Sequence, residues 1–189
     1  RVGGEVKPEE VVAQIEDAAL LKHAPELFRG EVVAHRQPDR AAVEVFPVHR
    51  LHQEDFCQAL GVPSEIKYQA EGGPGLKDCF AMLRLVSSNP VQDLAAMLDA
   101  VIFNLLIGNN DAHAKNYALL HAAGGGVRLA PFYDVASYLP YSDSRLHRIK
   151  LAMRVGREYL ARKIVRSDWA ELAAASKLPE RHVFERLGA

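Results

Sequence analysis

The segment Asn109-Asn110-Asp111-Ala112-His113-Ala114-Lys115-Asn116 places an acid, three amides, an imidazole and an ammonium within eight residues. That density makes a poor core, because buried polar groups need partners and unpaired charges are costly to bury. On a loop held by a rigid scaffold it makes a site. A second acid follows in Pro131-Phe132-Tyr133-Asp134. An Asp, an Asn five residues on and a further Asp beyond a hairpin suit phosphoryl transfer. Asp111 would accept or orient the proton of an attacking hydroxyl. Asn116 and Asp134 would offer oxygen ligands to Mg²⁺, a hard cation. Lys115 stands where it could touch a phosphate. The D-x-x-x-x-N spacing alone arises by chance in many proteins; its conjunction with His113, Lys115 and Asp134 gives it weight.

These residues need elements to position them. Ahead of the loop, Asn89 can cap a helix, Pro90 suits its first position, and Gln92 completes a variant of the capping box. Val91, Leu94, Ala95, Leu98, Val101, Ile102, Leu105 and Leu106 follow at helical spacing. Beyond Asp99 nearly every position except Asn104 is apolar, which predicts a central helix end buried on all sides, with Gly108 as its stop. Tyr117–Leu120 and Val127–Ala130 read as a hairpin around Gly124-Gly125-Gly126. That glycine run opens no helix and therefore lacks the amides that cradle phosphate. Gly72-Gly73-Pro74-Gly75 reads as a turn before a helical pattern at Leu76 to Leu85. Leu51 to Leu60 also reads as helical, broken by Gly61-Val62-Pro63. At the front, Pro8, Glu9 and Glu10 open a helix with Val11, Val12, Ile15 and Ala19 on one face. A hairpin from Glu31 to Phe46 follows it, turned at Gln37-Pro38-Asp39. From Leu151 the tail reads as mostly helical, with Ser167 capping a helix around Trp169.

The 189 residues are 49% hydrophobic and 25% charged, the balance of a globular chain. With 23 Lys plus Arg against 24 Asp plus Glu, the net charge of −1 offers no general argument for a nucleic-acid or membrane partner. Cys57 and Cys79 are too few for a disulfide framework and suit a reducing cytoplasm. Both fall in apolar helical patterns and read as core thiols. No apolar run is long enough to span a bilayer, and no signal peptide is recognisable. The chain opens on Arg1 without an initiator Met, as expected of a fragment. His49, His52, His121, His147 and His182 show no metal-ligand spacing. Arg145, His147, Arg148, Lys150, Arg154 and Arg157 read as a solvated basic face, with contact to an acidic partner or DNA phosphates as the alternative.

The string NNDAHAKN followed by RLAPFYD at Arg128 to Asp134 closely resembles the HipA family of bacterial serine/threonine protein kinases, the toxins of HipA–HipB toxin–antitoxin systems. Three further stretches match in order: RLHQEDFCQALG at Arg50 to Gly61, KYQAEGGPG at Lys67 to Gly75, and KLAM at Lys150 to Met153. The resemblance implies an α+β, protein-kinase-like fold. Residues 47–189 would form a mainly helical C-terminal lobe with small β-hairpins, and 1–46 a remnant of a largely missing N-terminal nucleotide lobe. It implies ATP and Mg²⁺ as cofactors, Asp111 as the catalytic aspartate, and Asn116 and Asp134 as metal ligands. His113, Ala114, Lys115 and Asn116, with Tyr133, Asp134, Val135 and Ala136, match segments that line the nucleotide. Glu44-Val45-Phe46 resembles the hinge whose backbone would bind adenine, with Val45 in place of Arg. The implied partners are a HipB-like, DNA-binding antitoxin and a protein substrate such as a glutamyl-tRNA synthetase, with DNA met only alongside the antitoxin and no membrane partner.

The phosphate-covering loop and phosphate-binding lysine of a complete member have no clear counterpart. Gly3-Gly4 has no strand before it, Lys7 and Lys22 lie in or near the first helix, and Glu16 could correspond to the glutamate that would pair with the missing lysine. A truncated or inactive module that only binds an antitoxin therefore stands as the alternative to an active kinase. A small-molecule phosphotransferase stands behind both. A hydrolase is disfavoured, because Ser137 and Ser142 have neither a nearby histidine nor elbow glycines.

Overall fold

A computed structural model describes residues 50–122, 124–139 and 149–188. The front helix, the front hairpin, the hinge Glu44-Val45-Phe46, the lobe boundary at 46/47 and the basic residues Arg145, His147 and Arg148 lie outside the described residues. The fold is α+β. Two helices form its centre: α2 (Leu76–Val86) and α3 (Pro90–Leu106). On α2, Leu76, Cys79, Phe80 and Leu83 recur at helical spacing, and all are buried. They meet Met97, Leu98, Val101 and Ile102 of α3 in one apolar cluster. The expected start of α3 is present: Asn89 accepts from the Gln92 amide and donates back to the Gln92 side chain.

Two small sheets flank the helices. Strands β1 (His52–Asp55), β2 (Ala118–His121) and β3 (Val127–Leu129) form an antiparallel sheet in the order β1-β2-β3. The β2–β3 hairpin is the one expected from the sequence. The strand β1 is not, since Leu51 to Leu60 reads as a single helix. Asp55 and Gln58 form a reciprocal capping box, each accepting from the other's amide at 2.9 Å. That box starts the short helix α1 (Phe56–Ala59) only at Phe56 and frees the four residues before it to pair with β2.

The tail differs in the same way. Strands β4 (Lys150–Val155) and β5 (Glu158–Leu160) form a second hairpin where a helix was expected. A register irregularity leaves Ala152 and Met153 both buried, so the alternation that marks a strand is interrupted. Gly156 turns this hairpin at φ 58, and a Cβ there would lie 2.5 Å from the Asp168 carbonyl oxygen. Helices α4 (Arg166–Ala175) and α5 (Glu180–Arg186) close the chain. Asp168, rather than Ser167, caps α4 by accepting from the Val165 amide at 2.9 Å. Trp169 packs in the core, and Cys57 and Cys79 are buried free thiols. Among the described residues no helix is long and apolar enough to cross a membrane.

Candidate active site

The helix α3 delivers its last turn to the polar loop, and a chain of buried amides holds the loop in shape. The Asn104 side chain donates to Tyr117 Oη at 3.1 Å and accepts from Asn109 Nδ2 at 2.8 Å. Asn109 Oδ1 in turn accepts from the Asp111 amide at 3.1 Å. Asn116 Nδ2 donates to the Asp111 carbonyl at 3.2 Å, so the backbone of Asp111 is held on both sides. Neither Asn104 nor Tyr117 stands out as functional in the sequence. The one available signal is that Asn104 is the polar exception in an apolar helix end, and a buried amide needs partners. Asn109→Ala would leave the Asn104 Oδ1 acceptor and the Asp111 amide unpaired. A loss of about 1–3 kcal/mol in urea unfolding is expected, and unchanged stability would refute the anchoring role.

The hairpin brings the second acid back to the loop. Asn116 ends a 3-10 turn (Ala114–Asn116) just before β2, and Asp134 lies just beyond β3. The register Leu119 opposite Leu129 sets residues preceding β2 against residues following β3. Asn116 Nδ2 thereby reaches Asp134 Oδ2 at 3.1 Å. Asp134 has φ 56, a left-handed conformation that side-chain-bearing residues rarely adopt and that costs on the order of 1–3 kcal/mol. The Tyr133 hydroxyl donates to the Lys115 carbonyl, tying the two predicted nucleotide-lining segments together.

The donor set suits Mg²⁺. Asp134 offers a carboxylate and Asn116 an amide oxygen, Asn116 turning its Nδ2 toward Asp134 Oδ2, and Asp134 makes no ion pair among the described residues. Among them no group of three or more His, Cys, Asp or Glu is arranged to hold a metal ion. A cation here would take one carboxylate and one amide from the protein and the rest from water and phosphate, the usual manner of Mg²⁺.

His113 is buried, with Nε2 3.8 Å from Asp111 Oδ2 and Nδ1 without a hydrogen-bond partner among the described residues. Burial and the nearby Lys67 ammonium hold its imidazole below the usual range, against the pull of Asp111 and Asp134. The ring is therefore neutral at pH 7. Ala114 is fully buried, Lys115 and Val135 are partly buried, and Ala136 is exposed. The structure thus gathers Asp111, His113, Lys115, Asn116, Tyr133 and Asp134. It also adds Tyr68, whose hydroxyl donates to Asp111 Oδ1 at 2.6 Å. Tyr68 lies in the KYQAEGGPG stretch, where nothing in the sequence alone marks it for a role.

Comparison with known proteins finds the HipA-like C-terminal domain model matching residues 9–188. A Sinorhizobium fredii protein named "Putative kinase Y4mE" is 49% identical over 126 residues, 67% of this chain and 29% of the relative. The serine/threonine-protein kinase toxin HipA of Shewanella oneidensis is 36% identical over 122 residues, 59% of this chain and 27% of the relative. Among solved structures, a Shewanella oneidensis complex of HipA, HipB and operator DNA matches with a TM-score of 0.67 and 30% identity, over 80% of this chain and 37% of that one. The chain thus spans well under half the length of these relatives.

Proposed function

The chain belongs to the HipA-like C-terminal domain family, and on that premise we propose that it carries the phosphoryl-transfer centre of a serine/threonine protein kinase that uses Mg-ATP. The observation that carries this reading is the meeting of Asn116 and Asp134 at 3.1 Å, with the Asp111 carbonyl bound to the same Asn116 amide. Asp111 takes the proton of the attacking Ser or Thr hydroxyl, for which a carboxylate held by its backbone and half exposed is suited. Asn116 and Asp134 would hold Mg²⁺, which would supply charge neutralisation at the phosphates. Lys115, whose ammonium makes no ion pair among the described residues, offers a cation to a phosphate oxygen. His113, Ala114 and Lys115, with Tyr133 to Ala136, line the nucleotide, and Glu44-Val45-Phe46 binds adenine through its backbone.

The solved relative assembles with HipB and operator DNA. A HipB-like antitoxin is accordingly the proposed partner, with DNA reached through it. The acceptor is a protein Ser or Thr, a glutamyl-tRNA synthetase being the one the family resemblance names. The cytoplasm, where two buried thiols stay reduced, is the proposed location.

Calorimetric titration of Mg-ATP into the chain tests the metal pair. Binding that strengthens with Mg²⁺ is expected, and Asp134→Asn should remove that Mg²⁺-dependent increment while leaving the weaker metal-free binding. Equal Mg²⁺ dependence in the parent and Asp134→Asn would refute the assignment.

A further inference from the structure

We propose that Tyr68 is a positioning residue for Asp111: its hydroxyl engages Oδ1 of the carboxylate and leaves Oδ2 to take the proton of the acceptor hydroxyl. This inference rests on the kinase reading and adds to it a residue from a segment remote in sequence. The main chain of Asp111 is held by Asn109 and Asn116, but that leaves its side chain free to turn. The side chain is 52% exposed; the hydrogen bond that orients it is the 2.6 Å bond from Tyr68 Oη to Oδ1, while His113 Nε2 stands 3.8 Å from Oδ2, beyond hydrogen-bond distance.

Tyr68 is itself built into place. Its carbonyl accepts from the amides of Glu71 and Gly73 at 3.0 and 2.9 Å, closing a tight turn. A Cβ on Gly73 would stand 2.5 Å from the Ile66 carbonyl and 2.8 Å from that of Tyr68, so the turn needs glycine there. The next residue, Gln69, accepts from the Arg154 amide at 2.9 Å and fastens the turn to β4. The ring meets His113 edge-on at 5.5 Å, and the Lys67 ammonium lies 4.9 Å from its centroid. A ring fixed at its backbone, one edge and one face is a fixture of the site rather than a removable cover. Lys67, His113 and Asp111 are the charged or titratable groups around it. The hydrogen bond to Asp111, then burial, then that carboxylate's charge hold the Tyr68 phenol above its usual range. It therefore remains a donor at neutral pH.

The test compares the parent chain with Tyr68→Phe, Asp111→Asn and the double variant. Tyr68→Phe should lower kcat for Mg-ATP turnover by about 10- to 100-fold, the scale of a small misplacement of a reacting group, with KM for Mg-ATP and thermal midpoint unchanged. In the double variant the two losses should not add, because the tyrosine acts only through the aspartate. An unchanged or raised kcat in Tyr68→Phe overturns the proposal; a rise would mean that the phenol occupies the acceptor's place. A second readout needs no turnover. Asp111→Asn should let one tyrosine ionise at lower pH in a tyrosinate absorbance titration, and Tyr68→Phe should abolish that difference. Superimposable curves for the parent and Asp111→Asn overturn it whatever the turnover. Full activity in Asp111→Asn would instead refute the kinase reading itself.

Discussion

Replacement of Asp111 by Asn is expected to cut phosphoryl transfer by about 10²–10⁴-fold, the range that a positioned general base contributes. The amide is nearly isosteric and keeps an oxygen for the Tyr68 hydroxyl, but it cannot take a proton. The groups that hold residue 111 in place reach its backbone, through Asn109 and Asn116, and are untouched by the substitution. Nucleotide affinity, its Mg²⁺ dependence and the unfolding midpoint should therefore match the parent. Transfer of labelled γ-phosphate from Mg-ATP measures the first quantity, and calorimetry and thermal melting the others. A variant that transfers phosphate at the parental rate would remove Asp111 from the chemistry. A variant that fails to fold would mean that the carboxylate is structural.

The largest loss of stability is expected at Asp93, in the first turn of α3. Its carboxylate is 5% exposed and accepts from Ser87 Oγ at 2.6 Å, the Leu129 amide at 2.9 Å, and Arg128 through Nε and Nη2. These contacts join the start of the central helix to β3, the strand that leads to Asp134. Asp93→Ala removes the acceptor of a hydroxyl and a backbone amide and leaves the Arg128 guanidinium with Gln92 Oε1 and water. Arg128 is 44% exposed and regains water, so the cost falls at the lower end for a broken buried pair, about 3 kcal/mol by urea unfolding. Burial by itself would push the Asp93 carboxyl up, but its bonds from Arg128, Ser87 and Leu129 outweigh this and hold it below the usual range. A carboxyl depressed in the folded state adds stability that is present above its unfolded pKa of about 3.9 and is lost as the pH falls through the folded value. The parent should therefore lose stability below about pH 4, and Asp93→Asn should show a shallower acid limb. Equal acid limbs would refute the linkage.

The hairpin β2–β3, the central helix with its Asn89 cap, and the apolar stripe of α2 were legible along the chain, because each depends on neighbours within a few residues. The loop from Asn109 to Asn116 was legible as a candidate site because such a density of polar groups beside an apolar helix makes a poor core, and Asp134 was legible as a candidate by its place just beyond the hairpin. Strand β1 and the β4–β5 hairpin were not. In the first, a capping box inside an apparent helix moved its start. In the second, a register irregularity put two successive side chains in the core and broke the alternation. The sequence by itself therefore determined which residue types stand ready for chemistry and which helices and hairpin carry them. Only the tertiary structure decided that Asn116 touches Asp134, that a chain of buried amides runs from Tyr117 to Asp111, and that Tyr68 lies on the Asp111 carboxylate. Those contacts join residues up to 43 positions apart. They form only where packing has closed the intervening chain, and no local pattern carries that information.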